Sequence, residues 1–397
     1  MGTGGPDAAV TFRLRLGARN RIRRGEAIQC APMKRVTIAT PDRVGERMAG
    51  PGIRAWHFAE ELAKRFDVTL VAQLAEAESS NFQQLKWGSS EGVTAMEAAD
   101  VLVAQPHRKV LAIKHPRAIY DLFDPVVLEL AELLKVRPSF RLKMHRSVEW
   151  GRLGVALKNG WRLIAAAPRQ RDFYLGVHAS RGGEVEGWSE RWLEVPFGAD
   201  PGVTEPSKLE PGPPLFVWSG GSWEWLDPQL AVEAIEKVVA GGTPARLLFL
   251  GGAHPNPEVD GRVGISGEAS KGIVLRNPEW VPYRERGRWI AGARAAMMLH
   301  RDTAEAGVSI RTRLFDAIAF GVPVIASRGG WAADLVEREG LGIVVEPGSV
   351  ESVAAAMRRM IEDDAFHAAC VEHLERVRPR FAWSEVVAPL AQAIAEA

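Results

Sequence analysis

The sequence predicts two consecutive α/β domains, each built on a parallel sheet with crossover helices. From residue 295 to residue 326, an apolar run, a polar loop, a helical run and a second apolar run follow one another. A strand, helix, strand unit with glycines in its first turn begins after Met33. Between these halves lies a Pro/Gly-rich stretch, ADPGVTEPSKLEPGPP, which is typical of a linker.

The length, composition, net charge and cysteine count limit the possible classes of protein. With 397 residues, of which 46% are hydrophobic and 25% charged, the chain can bury two full cores. A formal net charge of +1 argues against a nucleic-acid footprint over the whole chain. The two cysteines, Cys30 and Cys370, match no zinc-site spacing, and no apolar run is long enough to cross a bilayer. We expect a cytoplasmic protein.

Residues 1–32 differ from the rest because they carry six arginines, two acidic residues and no apolar core. We expect a disordered basic extension here; the alternative is a basic arm for nucleic acid or anionic lipid. The expected boundaries that follow are a first domain over 33–199, a linker over 200–214, a second domain over 215–380 and a last helix over 381–397.

The opening of the first domain contains a candidate ligand loop. The predicted elements are strand 36–40, loop 41–52, helix 53–65 and strand 68–72. Gly50 and Gly52 in the loop would let the backbone approach a ligand closely. Arg54, at the start of the helix, could reach a phosphate or an acceptor. The alternative is an ordinary glycine-rich turn.

The rest of the first domain continues the alternation. The predicted elements are strands 101–104 and 118–120, helices 126–136 and 141–157, and strands 163–167 and 193–198. Asp121 and Asp124 follow the strand that ends at residue 120, and the carboxyl ends of parallel strands carry ligand groups in such sheets. Pro168 begins a helix, and Arg169 beside it would face the same cleft if its strand is parallel.

The second domain repeats the pattern. Its predicted strands are 215–219, 246–251, 273–276, 295–299, 322–326 and 342–345. Gly220 and Gly221 follow its first strand and could present backbone N–H groups to a ligand. Trp223 or Trp225 could then pack on that ligand.

Polar side chains crowd around a helix expected to begin near Val308. They are Glu305, Ser309, Arg311, Arg313 and Asp316. A helix start binds anions, and two arginines would add charge-assisted bonds to a phosphate. The two carboxylates could accept sugar or ribose hydroxyls. The alternative is a carboxylate that stabilises the helix start beside two solvated arginines.

The stretch FDAIAFGVPVIAS, residues 315–327, resembles the donor-binding motif of glycosyltransferase family 4. The overlapping stretch RTRLFD, residues 311–316, resembles a bacterial branch of that family. The resemblance implies the GT-B fold, two Rossmann-like domains facing each other across a cleft. Four departures stand out. Asp316 replaces a usual Glu, and Glu305 lies three residues before the position of the family's first Glu. Phe123 replaces a usual His, and the loop at Gly220 lacks the usual Arg and Lys.

The resemblance also implies roles for these positions. The expected catalytic residues are Glu305 and Asp124. The expected donor-binding residues are Gly220, Gly221, Val281, Ser309, Arg311, Arg313 and Asp316, with Val281 beside the nucleotide base. The expected cleft and acceptor residues are Gly50, Gly52, Arg54, Asp121 and Arg169. The last helix is expected to return to the first domain.

The implied reaction is transfer of a sugar from a nucleotide-sugar to a glycan, lipid-linked or small-molecule acceptor, with retention of configuration. No metal and no cofactor are expected, since there is no Asp-x-Asp pair and arginines can stabilise the leaving diphosphate. No nucleic-acid partner is expected; peripheral contact with the inner face of a membrane is an option. The rivals are a non-catalytic GT-B sugar or nucleotide-binding protein and a sugar-nucleotide epimerase.

Overall fold

The computed structural model describes residues 33–75, 79–202, 211–223, 225–251, 272–277 and 279–397. The expected basic extension, 1–32, and residues 203–210 of the expected linker lie outside this part of the chain. Among the described residues, no helix combines the length and apolar character needed to cross a membrane.

The first domain is a seven-stranded parallel sheet flanked by helices. Its strands are β1 Arg35–Gly45, β2 Asp67–Ala75, β3 Gln83–Lys86, β4 Val101–Ala104, β5 Ala118–Asp121, β6 Arg162–Ala165 and β7 Trp192–Glu194. Its helices are α1 Gly50–Leu62, α2 Ser90–Ala98, α3 Arg108–Ile113, α4 Val126–Val136, α5 Phe140–Asn159 and α6 Pro168–Ser180. The strand order is β3-β2-β1-β4-β5-β6-β7.

The second domain has a six-stranded parallel sheet. Its strands are β8 Leu215–Ser219, β9 Arg246–Leu250, β10 Val274–Arg276, β11 Ala295–Met298, β12 Val324–Ser327 and β13 Gly342–Val345. Its helices are α7 Pro228–Ala240, α8 Gly287–Ile290, α9 Ala304–Val308, α10 Thr312–Phe320, α11 Gly330–Glu339, α12 Val350–Glu362, α13 Asp364–Val377 and α14 Trp383–Glu396. The order is β10-β9-β8-β11-β12-β13. The prediction of two Rossmann-like parallel-sheet domains is confirmed.

Each sheet reverses its winding direction at one place. In the first sheet the reversal lies between β1 and β4, and in the second it lies between β8 and β11. Open parallel sheets bind ligands outside the carboxyl ends of their strands at such a point. The loops after β1 and β8 are therefore the expected ligand-binding places.

The opening of the chain differs from its prediction. Strand β1 continues past Pro41, because a register shift between Ala39 and Arg43 accommodates a residue that lacks an N–H. Helix α1 begins at Gly50, so Gly50 and Gly52 lie in the helix and not in a loop.

The single helix predicted from Val308 is also wrong. Thr303 caps the short helix α9 through a hydrogen bond from the backbone N–H of Ala306, and the backbone at Ser309 and Arg311 is extended. Helix α10 then begins at Thr312. Helical spacing of apolar residues continues across this break, which is why periodicity alone did not reveal it.

An aromatic seam joins the two domains. The rings of Phe197 and Phe315 lie 5.7 Å apart between centroids. Helix α14 packs against α1, and Trp383 stacks on His57 with ring centroids 4.6 Å apart. The main-chain N–H of Tyr283 donates to the carbonyl oxygen of Glu46 at 2.8 Å, so the contact continues toward the cleft.

Candidate functional site

A cleft of about 970 Å³ lies between the carboxyl ends of the two sheets. On the first-domain side it is bounded by Asp42, the start of α1, and helices α4 and α5. On the other side lie the ends of β8 and β9, residues 280–283 and the start of α10. Its volume fits a ligand of small-molecule size.

Two glycine turns form part of the second-domain wall. Gly220 has a φ of +81°, a conformation that favours glycine. A Cβ on Gly251 would lie 2.3 Å from the carbonyl oxygen of Gly220, so the turns after β8 and β9 press together. Gly220 and Gly221 both line the cleft, as do Trp223 and Trp225, which stack on each other.

Glu305 does not reach the cleft. Its side chain is completely buried, and both carboxylate oxygens accept hydrogen bonds from Arg311, at 2.8 and 2.7 Å. The prediction that Glu305 contacts sugar hydroxyls is therefore corrected. Its carboxylate lies behind Arg311, which lines the cleft, and holds that guanidinium in place.

Three buried polar atoms in and beside the Glu305–Arg311 pair have no hydrogen-bond partner. They are the Oγ of Ser309, the Nε of Arg311 and one terminal nitrogen of Arg313. The other terminal nitrogen of Arg313 donates to the carbonyl oxygen of Gly221 at 3.0 Å, and its guanidinium lies over the ring of Trp218. Buried donors are normally paired, so the unused nitrogens of Arg311 and Arg313, which both line the cleft, are prepared for a ligand that accepts hydrogen bonds. Ser309 is buried behind them and does not line the cleft, which corrects its predicted contact with the donor.

The environment of Arg313 favours an anion. Burial and the neighbouring Arg311 charge lower the pKa of Arg313 to about 9. An anionic ligand would remove both costs, because it neutralises the charges and accepts the unused hydrogen bonds. Helix α10 has no side-chain cap, so its first N–H groups and positive dipole end add to the same attraction.

The start of α1 faces the start of α10 across the cleft. A Cβ on Gly50 would lie 3.5 Å from Cγ2 of Thr312, and α1 also lacks a side-chain cap. Two helix N-termini therefore meet at one place, and each of them attracts anions. Gly52 does not line the cleft: a Cβ there would lie 2.2 Å from the carbonyl oxygen of Arg43, so its role is helix packing on β1.

Arg54 is structural, which corrects its predicted contact with phosphate or acceptor. Its side chain is 1% exposed and pairs with Asp121 at 2.6 and 3.1 Å. The same guanidinium donates to the carbonyl oxygens of Val195 and Pro196. Because its hydrogen bonds join α1 to the ends of β5 and β7, it cannot turn into the cleft. Asp121 lines a side chamber of about 220 Å³.

Arg169 does not line the cleft either. It is half exposed and forms an ion pair of 2.7 Å with Asp334 of the second domain. Its predicted contact with the acceptor is therefore corrected to a surface contact between domains.

The segment around Val281 contributes an arginine that the sequence did not single out. Val281 and Asp316 line the cleft, and Arg286 donates to Asp316 at 2.8 Å. Arg286 also lies over the ring of Tyr283 and donates to its carbonyl oxygen. The available signal was its position three residues after Tyr283, close in sequence to the predicted donor residue Val281.

Three carboxyl groups lie on the opposite wall. Asp124 lines the cleft together with Asp42 and Glu129, which the sequence analysis did not identify. Burial and the carboxylates of Asp42 and Asp121 raise the pKa of Asp124 to about 8. Burial raises the pKa of Asp42 to about 6 and that of Glu129 well above its ordinary value. Asp42 lies two residues after the predicted strand 36–40, so the strand-end rule that found Asp124 could have found it too.

Buried side chains fix the backbone beside Asp124. The amide of Gln170 donates to the carbonyl oxygen of Phe123 at 2.6 Å, and the hydroxyl of Tyr174 donates to that of Leu122 at 2.7 Å. Asp124 is thus held rigidly against the cleft. Within the described part of the chain, no three His, Cys, Asp or Glu side chains are grouped to hold a metal ion.

Comparisons with known proteins agree with this architecture. Residues 213–363, which include the second-domain wall of the cleft, match the family model described as "Glycosyl transferases group 1". A stretch of 72 residues is 28% identical to sucrose-phosphate synthase 4 of Arabidopsis thaliana. That stretch is 18% of this chain and 7% of the relative, so it covers only a small part of either protein.

Solved structures match over nearly the whole length. The sucrose-phosphate synthase of Thermosynechococcus elongatus superposes with a TM-score of 0.67 at 16% identity, covering 91% of this chain and 98% of that one. Anabaena Alr3699/HepE, solved in complex with UDP and glucose, superposes with a TM-score of 0.65 at 14% identity, covering 92% and 100%. The chain therefore has the GT-B fold, and residues 213–363 match the glycosyl transferases group 1 family.

Proposed function

We propose that the chain is a glycosyltransferase that moves a hexosyl group from a nucleotide-sugar to an acceptor hydroxyl. The observation that carries this proposal is the pair of unpaired nitrogens on Arg311 and Arg313, in the cleft wall beside the open start of α10. This group suits the diphosphate of the donor. The family match spans this wall, and a protein of the same fold was solved with UDP and glucose.

The chemistry follows from where the charges lie. When the bond between the anomeric carbon and the diphosphate oxygen breaks, negative charge develops on the leaving phosphate. Arg313, Arg311 and the two facing helix starts stabilise that charge without a metal ion. The departing phosphate oxygen takes the proton of the acceptor hydroxyl, which attacks from the same face and retains the anomeric configuration. This route, like membership of family 4 in a bacterial branch, is part of the proposal.

The first-domain wall receives the acceptor. The carboxyl groups of Asp42, Asp124 and Glu129 accept or donate hydrogen bonds to a molecule rich in hydroxyl groups, and the raised pKa lets Asp124 donate one at neutral pH. A glycan, a lipid-linked sugar or a small hydroxylated molecule fits this description. We place the reaction in the cytoplasm.

One observation favours a second candidate, a sugar-nucleotide epimerase. Such an enzyme moves protons, and carboxyl groups with raised pKa values are suited to acid–base work. An epimerase converts a nucleotide-sugar without any acceptor and returns it as an isomer. A transferase instead releases nucleoside diphosphate, slowly when the sugar is transferred to water and rapidly when it is transferred to the acceptor.

The test begins with nucleotide-sugars screened by thermal shift, since a true ligand raises the melting temperature by mass action. The best donor is then incubated with the protein, and products are separated by chromatography. We expect nucleoside diphosphate and free sugar from the wild-type protein, and a strongly reduced yield from Arg313→Ala. An isomeric nucleotide-sugar would favour the epimerase, and binding without any turnover, with and without candidate acceptors, would favour a non-catalytic binding protein.

A further inference from the structure

Exposed apolar side chains are concentrated on one helical hairpin, formed by α4 and α5. Nine large hydrophobic side chains are strongly exposed among the described residues, and six of them lie here. The six are Val126, Val136, Phe140, Met144, Val148 and Val155. Scattered exposed apolar residues need no explanation, but a cluster of this kind marks an interaction surface.

The cluster forms a stripe along α5. Phe140, Met144, Val148 and Val155 fall within an arc of about 80° when residues advance 100° along a helix. The opposite face of the helix carries Leu153, Ala156 and Leu157, which are buried against the domain. Helix α5 therefore has two apolar faces, and only one of them is used inside the fold.

The charge at the start of this stripe is mainly positive, although Lys135 is paired with Glu132 and Glu149 lies farther along α5. Residues 135–146, KVRPSFRLKMHR, contain five Lys or Arg residues and no Asp or Glu, although the whole chain has a net charge of only +1. Phe140 is 77% exposed and Met144 is 53% exposed within this basic stretch. An apolar stripe with flanking cations matches the two layers of a membrane interface, in which anionic head groups cover acyl chains.

We propose that the tip of this hairpin, Val136 to Val148, docks on the surface of an anionic lipid bilayer. The docking needs no glycosyl transfer and can be tested without it. The same hairpin forms a wall of the cleft through Leu130, Leu133, Arg141 and His145. A docked protein would therefore hold its cleft next to the lipid head groups, where an amphiphilic acceptor would be presented.

The test is flotation of the full chain with vesicles. One set contains phosphatidylcholine alone, and the other contains equal parts of phosphatidylcholine and phosphatidylglycerol. We expect binding only to the anionic vesicles, weakened by added salt because surface charges are screened. Equal binding to both sets, or no binding to either, would overturn the proposal.

Variants then locate the surface. Phe140→Ser with Met144→Ser should reduce vesicle binding roughly tenfold or more, because it removes the apolar surface that inserts. Lys143→Glu should reduce it about fivefold or more, the loss expected for one cation near an anionic membrane. Val185→Ser is the matched control, since Val185 is 54% exposed but lies on another part of the domain. Its binding should be unchanged.

The melting temperature of each variant checks its folding. If the double variant proves unstable, Lys143→Glu alone decides, and wild-type binding by this variant contradicts the proposal. Such a face could instead bind a second copy of the chain, and light scattering distinguishes this case by measuring the oligomeric state. A wild-type dimer that Phe140→Ser with Met144→Ser converts to a monomer would overturn membrane docking.

Discussion

Arg311 holds Glu305 in a bidentate ion pair closed to solvent, with N–O distances of 2.8 and 2.7 Å. The two terminal nitrogens of Arg311 point inward to this carboxylate, while its Nε has no partner. Glu305 therefore positions a cation in the wall of the cleft and does not itself touch a ligand.

The first prediction concerns this pair. Glu305→Gln leaves Arg311 buried beside an uncharged partner, and loss of one member of a buried pair costs about 3 kcal/mol of unfolding free energy. Chemical denaturation measures that cost. The matched control is Glu346→Gln, which alters the exposed pair with Arg328 and should leave stability unchanged. Unchanged stability in Glu305→Gln, together with reduced turnover, would instead place Glu305 on the substrate.

The second prediction separates two neighbouring glycines. Gly52→Ala would force a Cβ to within 2.2 Å of the carbonyl oxygen of Arg43, which is backbone and cannot move away. We expect a loss of about 2 kcal/mol or more, as in other overpacked interiors. Gly50→Ala meets only an ordinary contact with Thr312 and should change stability by less than about 1 kcal/mol. Equal effects of the two substitutions on the melting temperature would contradict this reading.

The third prediction concerns pH. The pKa of Asp124 is about 8 in the folded protein and 3.8 without its surroundings, so the folded state binds this proton more tightly. The resulting stability is complete below the unfolded value and is lost as pH rises through about 8. Wild-type protein should therefore lose more stability than Asp124→Asn between about pH 5 and about pH 9.

Thermal melting across that range, with the same buffers for both proteins, is the measurement. Asp42, with a pKa of about 6, titrates in both proteins, so the difference between the two proteins reports Asp124 together with its effect on the neighbouring carboxyl groups. Parallel curves for the two proteins would show that the pKa of Asp124 is not raised in the folded protein.

Sequence patterns predicted the fold because each strand and helix has its own local signal. The apolar runs of the two sheets, the strand-end rule that found Asp124, and the turn at Gly220 all rest on residues close in sequence. The sequence also placed Arg311 and Arg313 beside one helix start, and both line the cleft.

The predictions that failed concern residues whose contacts lie far away along the sequence. Arg54 finds Asp121 and two carbonyl groups far along the chain, so nothing local shows that its hydrogen bonds are already used. The burial of Glu305 depends on a break in the helix that apolar periodicity does not reveal. The contact between Gly50 and Thr312 joins two domains, and only the assembled structure shows that two helix starts meet.

The central claim is that Arg313 and the start of α10 bind the donor diphosphate. Calorimetric titration with the nucleoside diphosphate selected by thermal shift tests it most directly. Arg313→Ala removes a charge-assisted contact worth about 1.5–3 kcal/mol, so affinity should fall about tenfold to hundredfold. Arg169→Ala removes an arginine outside the cleft and should bind as the wild type does. Wild-type affinity in a folded Arg313→Ala protein would contradict the account.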